Sequence, residues 1–150
     1  MIPGQSLINQ LVNLLAGDAT TLAPAAANNK VHLAQVAFTP APTLTPASFT
    51  EATFTGYAAL LAGVSTQQVF FDPATGNQIL QILEPAGGWH WKTTNATGLP
   101  QTIYGFYMTD NGNTTVYGSA LFATPIVLNG SGQGVDIAQV RFTFPAIPMS

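Results

Sequence analysis

The stretch from Gln101 to Phe144 constrains the fold more than any other part of this chain. It reads as three consecutive β-strands joined by two short turns. Thr102 to Thr109 is the first strand, and Asp110 to Asn113 the first turn. Thr114 to Ala123 is the second strand, its apolar character running on past Pro125 through Ile126, Val127 and Leu128. Asn129 to Gly134 is the second turn, and Val135 to Phe144 the third strand. Asn-Gly occurs in both turns. Between alternating runs that dipeptide is the strongest short-range hairpin signal, because both central residues of the tight turn need positive φ.

Upstream, Val31 to Phe38 alternates as a strand. Pro40, Pro42 and Pro46 then exclude a helix or a central strand, so residues 39–48 form an extended connection. Phe49 to Ala58 is ambiguous between a helical turn and a strand, with Thr53 to Leu61 favouring a strand. Gln67 to Asp72, Gln78 to Leu83 and Trp89 to Thr94 read as further strands. About eight strands, with turn signals roughly every eight to fifteen residues, predict a mainly β chain. The expected form is an antiparallel β-sandwich or a partly closed, jelly-roll-like barrel. One short amphipathic helix is expected before it, with Ser6 as cap and Gly17 as stop. Leu7, Ile8, Leu11, Leu14 and Leu15 recur there at three- and four-residue spacing. Such a stripe packs on its own domain or on a neighbouring subunit, which makes these five residues the candidate assembly contact. The expected division is a helix and extended arm over residues 1–30 and a single β domain over 31–150.

Charge decides which partners are open to such a chain. Only 6% of its 150 residues are charged, against roughly 25% in an ordinary soluble domain. Thr, Asn, Gln and Ser must supply most of the polar surface, and little charge is left to oppose association. The composition therefore predicts a surface covered by copies of itself or by partners. Three basic residues against six acidic ones leave no basic patch, so neither nucleic acid nor an anionic membrane is an expected partner. No cysteine is present, which excludes disulfides and thiolate chemistry. No run reaches the ~20 apolar residues of a membrane span, and no secretory signal is expected at the N-terminus, which has no Lys or Arg before Lys30.

The residues that carry chemistry are sparse. His32 and His90 are the only histidines, and neither has a second ligand at metal spacing. The acids are scattered singly. Asp72 and Asp110 sit where a side chain caps its own turn. No nucleophile elbow or phosphate loop is present, so the expectation is no enzyme, no cofactor and no metal. Trp89 and Trp91 share one strand face and are the candidate glycan contact, stacking on a sugar ring. The plainer reading of such a pair is core or subunit contact.

Phe49-Thr-Glu-Ala-Thr-Phe-Thr-Gly-Tyr-Ala58 is followed by Thr102-Ile-Tyr-Gly-Phe-Tyr107, Asp110, Gly118 to Phe122, Pro125 and Val140-Arg-Phe-Thr-Phe144. Together these resemble a family of small, mostly uncharacterised proteins encoded by tailed bacteriophages and prophages. The resemblance spans roughly residues 31–144, leaving out the predicted helix and the loop at 39–48. It implies a virion structural or accessory component, a capsid decoration or tail protein, made in the host cytoplasm and partnered by copies of itself and other virion proteins. It brings no catalytic residues. The alternatives are a glycan-binding β-sandwich module contacting a host surface, or a subunit of an extracellular filament.

Overall fold

The computed structural model describes residues 2–3, 28–62, 66–72, 74, 76–83 and 88–144. The predicted N-terminal helix and its stripe of Leu7, Ile8, Leu11, Leu14 and Leu15 lie outside the described residues. The described residues form a mainly β chain: β1 (Ile2–Pro3), β2 (Lys30–Ala34), β3 (Leu60–Leu61), β4 (Thr66–Asp72), β5 (Asn77–Leu83), β6 (Trp89–Lys92), β7 (Gln101–Thr109), β8 (Val116–Leu128), β9 (Gly134–Ile137) and β10 (Gln139–Phe144). They pair antiparallel in three sheets, ordered β1-β8-β7-β2-β3, β10-β5-β4 and β6-β9. None of these sheets closes into a barrel. No described helix is long and apolar enough to cross a membrane.

The β7–β8 hairpin forms where the sequence places it, but its connection spans residues 110–115 and the positive φ falls at Asn113, not at the expected Asn111 and Gly112. The expected third strand does not continue it. Val135 and Ile137 point inward, then Val140 and Phe142 do, all at 5% exposure or less. The buried parity thus slips from odd to even at Ala138. An unbroken strand would turn one pair to solvent, so the chain breaks there. β9 pairs with β6, setting Val135 opposite Trp91 and Ile137 opposite Trp89. β10 pairs with β5.

Two other expectations are corrected. The strand expected over Val31–Phe38 ends at Ala34, where the chain turns away and the Gln35 N–H bonds the Thr50 carbonyl. Of the stretch from Thr53 to Leu61, only Leu60–Leu61 is a strand, because Thr53, Thr55, Tyr57 and Ala58 bond to side chains, to the 94–97 loop or within the segment instead of to a ladder.

Pro125 lies inside β8, where a proline removes a ladder donor. The register shows how it is accommodated. Ile103 faces Ile126 and Gly105 faces Leu121, so residues 122–125 bulge opposite Tyr104 alone. Gly105 marks the point of closest approach, where a Cβ would collide with the Ala120 carbonyl oxygen.

Around β2, the inner half of β7 and residues 116–119, the β2–β7–β8 sheet is buried on both faces. One face contributes Val31, Leu33, Ile103, Met108, Tyr117 and Leu128 to a core completed by Phe54, the two tryptophans and the inward residues of β9 and β10. The other face carries His32, Ala34, Tyr107 and Ser119, each 3% exposed or less. It is covered by the proline-containing segment 35–52, which returns over it so that Phe49 stacks on Tyr107 and Glu51 bridges Ala34. Gly105→Ala is expected to destabilise the protein by about 2 kcal/mol, the cost of forcing a side chain into a closed contact. A urea titration should show a lower midpoint with an unchanged slope.

Candidate functional site

The site grows out of the irregular segment 49–58. Phe49 lies parallel to the Tyr107 ring at 4.0 Å, and His32 lies parallel to it at 4.6 Å. Two rings stacked that closely on one tyrosine must occupy opposite faces, so the three form a column, with Phe38 meeting Phe49 edge-on. Ala52 donates its N–H to the Leu33 carbonyl. Thr53 is held by both ends of the Gln101 amide. Thr55 bonds the Thr97 carbonyl and accepts from the Thr94 N–H. Gly56 has φ +99° and packs so close to the Lys92 carbonyl that no Cβ fits. The Ala58 carbonyl accepts the Trp91 indole N–H.

Glu51 is the polar centre of this segment. Tyr57 Oη accepts the Leu33 N–H at 3.1 Å and donates to Glu51 Oε1 at 2.6 Å. The same oxygen accepts His32 Nδ1–H at 2.7 Å. A carboxylate only accepts, so Nδ1 carries the hydrogen. His32 Nε2 lies 2.9 Å from Thr109 Oγ1, and that hydroxyl also reaches the Asp110 carbonyl at 3.0 Å. When Thr109 donates to Asp110, Nε2 donates to Thr109 and the ring is an imidazolium. When Thr109 turns its hydrogen to Nε2, the ring is neutral. One hydroxyl rotor thus satisfies either charge state of a buried histidine.

The electrostatics follow from these bonds. The His32 hydrogen bond holds the Glu51 carboxyl below the usual carboxylate range, against the opposing pull of partial burial and with help from Tyr57. Burial, and then the bond to Glu51, push the Tyr57 phenol well above its ordinary range. Burial does the same to Tyr107, with the Glu51 charge adding to it. At the neighbouring turn, partial burial raises Asp110, but the N–H groups of Thr115, Thr114 and Gly112 and the Thr114 hydroxyl outweigh it and the net shift is downward.

An acid, a histidine and a hydroxyl in series have the order of a nucleophilic triad. Thr109 is fully enclosed, however, so no substrate atom reaches its oxygen. What the arrangement does is tie three pieces of chain together: β2 through His32, β7 through Thr109 and the returning segment through Glu51 and Tyr57.

The sequence-predicted residues fall elsewhere. Trp89 and Trp91 share a face as expected, but both are 2% exposed and lie in the core. Their indole N–H groups are bound by the Leu61 and Ala58 carbonyls. A sugar needs an open ring face, and neither tryptophan offers one. His90 pairs across the β6–β9 ladder with Asp136 at 2.7 Å on the exposed side of that ribbon, apart from His32. A shallow groove of about 230 Å³ lies between Pro42–Thr45 and Thr114–Val116. Glu51 belongs to no sequence motif for a site, and its one sequence signal is that it is the only acid between Asp18 and Asp72.

A scan against protein-family models finds no match to this chain, and searches of curated proteins and of solved structures find none either.

Tyr57 and Tyr107 carry a pH prediction. Their folded values are raised, so their contribution is complete below the ordinary tyrosine value near 10 and is lost as pH rises beyond it. Thermal midpoints should therefore fall above about pH 10, and Tyr57→Phe should flatten that alkaline limb. At neutral pH the same variant should cost about 1 kcal/mol, since Glu51 is partly exposed and water competes for it.

Proposed function

We propose that this chain is a virion structural protein of a tailed bacteriophage or prophage, a capsid decoration or tail component that works through contacts between subunits. The reading assigns it no catalytic role. Its partners are copies of itself and other virion proteins, not nucleic acid and not a membrane. It is made in the host cytoplasm and carried in the virion. The sheet described above, packed over the β6–β9 ribbon and β10, takes the finer form of a β-sandwich. The stripe of Leu7, Ile8, Leu11, Leu14 and Leu15, expected from the sequence to lie on a helix, is a second contact in the same reading.

One observation carries it. The outer half of β8 is exposed, apolar and uncharged. Leu121 is 43% exposed and Val127 50%, with Ala123, Thr124 and Pro125 also exposed between them. No charged residue occurs from Asn111 to Val135. Among the described residues β1 covers this edge only at Gly118 and Ser119. Charge is one guard of such an edge, and a proline with a bulge, as at Pro125, is another; the apolar side chains left exposed on either side of it support a contact surface. The resemblance to the phage family points the same way. A glycan-binding role loses its support, because the two tryptophans that suggested it are enclosed.

Sedimentation of the purified chain tests this. The wild type is expected to sediment as an oligomer. Leu121→Asp combined with Val127→Asp should shift it to smaller species while moving stability by no more than about 0.5 kcal/mol per surface site. A wild type that stays monomeric at high concentration overturns the reading.

A further inference from the structure

We propose that Glu51, His32 and Tyr57 form a proton-operated latch. While Glu51 is ionised, it clamps segment 35–52 over the His32–Tyr107 face of the β2–β7–β8 sheet. When Glu51 takes up a proton, that segment lifts and uncovers the face. The inference does not depend on the virion role.

The two halves of the returning chain are held very differently. Residues 53–58 are anchored: Phe54 lies in the core, Thr53 is bound by Gln101, Thr55 by Thr94, and Ala58 by Trp91. Segment 35–52 has fewer ties to the sheet. Its backbone bonds to it are Ala52 to Leu33 and the Ala34–Glu51 bridge. Pro40, Pro42 and Pro46 have no N–H to add. The side-chain ties are the Phe49 stack on Tyr107, the Glu51 carboxylate and, at its very end, Ala52 in the core. Glu51 sits at the junction of the two halves and is gripped there by groups that stay put, His32 from β2 and Tyr57 from the anchored half.

Both grips depend on the charge of Glu51. Hydrogen bonds to an ionised acceptor are roughly twice as strong as neutral ones, and both donors converge on the same oxygen. Protonation weakens the two together and leaves the buried His32, 3% exposed, with a poorer acceptor at Nδ1. The other groups facing Glu51 do not replace it. Lys30 on β2 is cationic and favours the ionised carboxylate. Tyr107 on β7 and Tyr57 are held neutral. Asp110 reaches the network only by its carbonyl, through Thr109, while its carboxylate is engaged by its own turn.

A second observation concerns the covered face itself. Ser119 stands opposite Tyr107 in register, on the same side of the sheet. Among the described residues its hydroxyl is buried without a hydrogen-bond partner. An orphaned polar group is satisfied once water reaches it. The sign follows: the Glu51 carboxyl is held below the usual range, so the latch is fully closed above that range and opens as pH falls through the lowered value.

Glu51→Gln mimics the protonated state at neutral pH. Chymotrypsin at pH 7, with cut sites mapped by mass spectrometry, reads opening at Phe38, Leu44 and Phe49. The variant should be cut there on the order of tenfold faster than wild type, with cleavage in β7 and β8 unchanged. Equal rates, or a uniform rise at every site, would overturn the latch. If the variant does not fold, hydrogen exchange of the wild type, corrected for intrinsic rates, decides. Gln35 and Ala52 amides should lose protection on acidification before those of β7 and β8; simultaneous loss overturns the proposal.

Discussion

The contact between His32 and Glu51 is the one on which the rest of the arrangement depends. An imidazole in the middle of a sheet covered on both faces must have partners for both nitrogens, or its burial costs more than the packing returns. Strand β2 makes the point sharp, because its side chains alternate between two enclosed sides. Val31 and Leu33 face the tryptophan core, and His32 and Ala34 face the returning segment. A slip of one residue would drive His32 among Trp89, Trp91 and Phe142 with no acceptor in reach. The pairing of His32 with Tyr107 and the position of Glu51 therefore define one register for the sheet.

Much of the strand framework was legible, because period-2 alternation and Asn-Gly turns are local signals. β4, β5, β6 and β7 fall within about two residues of where the pattern puts them. The break at Ala138 was also written in the chain, as the odd-to-even slip between Ile137 and Val140, but it has meaning only once both halves are known to face the same core. The extra length given to β2 and the strand assigned before Leu60 failed for a different reason. In segment 49–58 each residue answers to a different neighbour: Glu51 to His32, Thr53 to Gln101, Gly56 to Lys92, Ala58 to Trp91. No periodicity can emerge from such a segment, and this is why pattern left it ambiguous between helix and strand.

The polar network was invisible for a related reason. His32 lies 19 residues from Glu51 and 77 from Thr109, so no spacing rule connects them. The tryptophans drew attention because two aromatics on one face form a local pattern. Period-2 alternation puts them on one face, but alternation does not say which side of the ribbon meets the core, and here it is theirs. Carbonyls of the irregular stretch around residues 58–61 complete both indoles. The segment that hides the network is thus continuous with the one that fixes the core.

Scarcity of charge has two physical sources here, and they separate at β8. A sheet covered on both faces needs fewer ionised side chains simply because it has less wetted surface. That accounts for β2, for the buried half of β7, and for Val116 to Ser119. It does not account for residues 120–127, which are mostly exposed and equally without charge. Interior packing places no demand on the outward positions of that strand, where lysine or glutamate would be tolerated at little cost. Pro125 and its bulge blunt the middle of the edge against indiscriminate strand pairing, yet Leu121 and Val127 on either side remain apolar. Backbone shape, and not charge, thus protects this edge from strand pairing, and it does so without covering the apolar side chains of Leu121 and Val127.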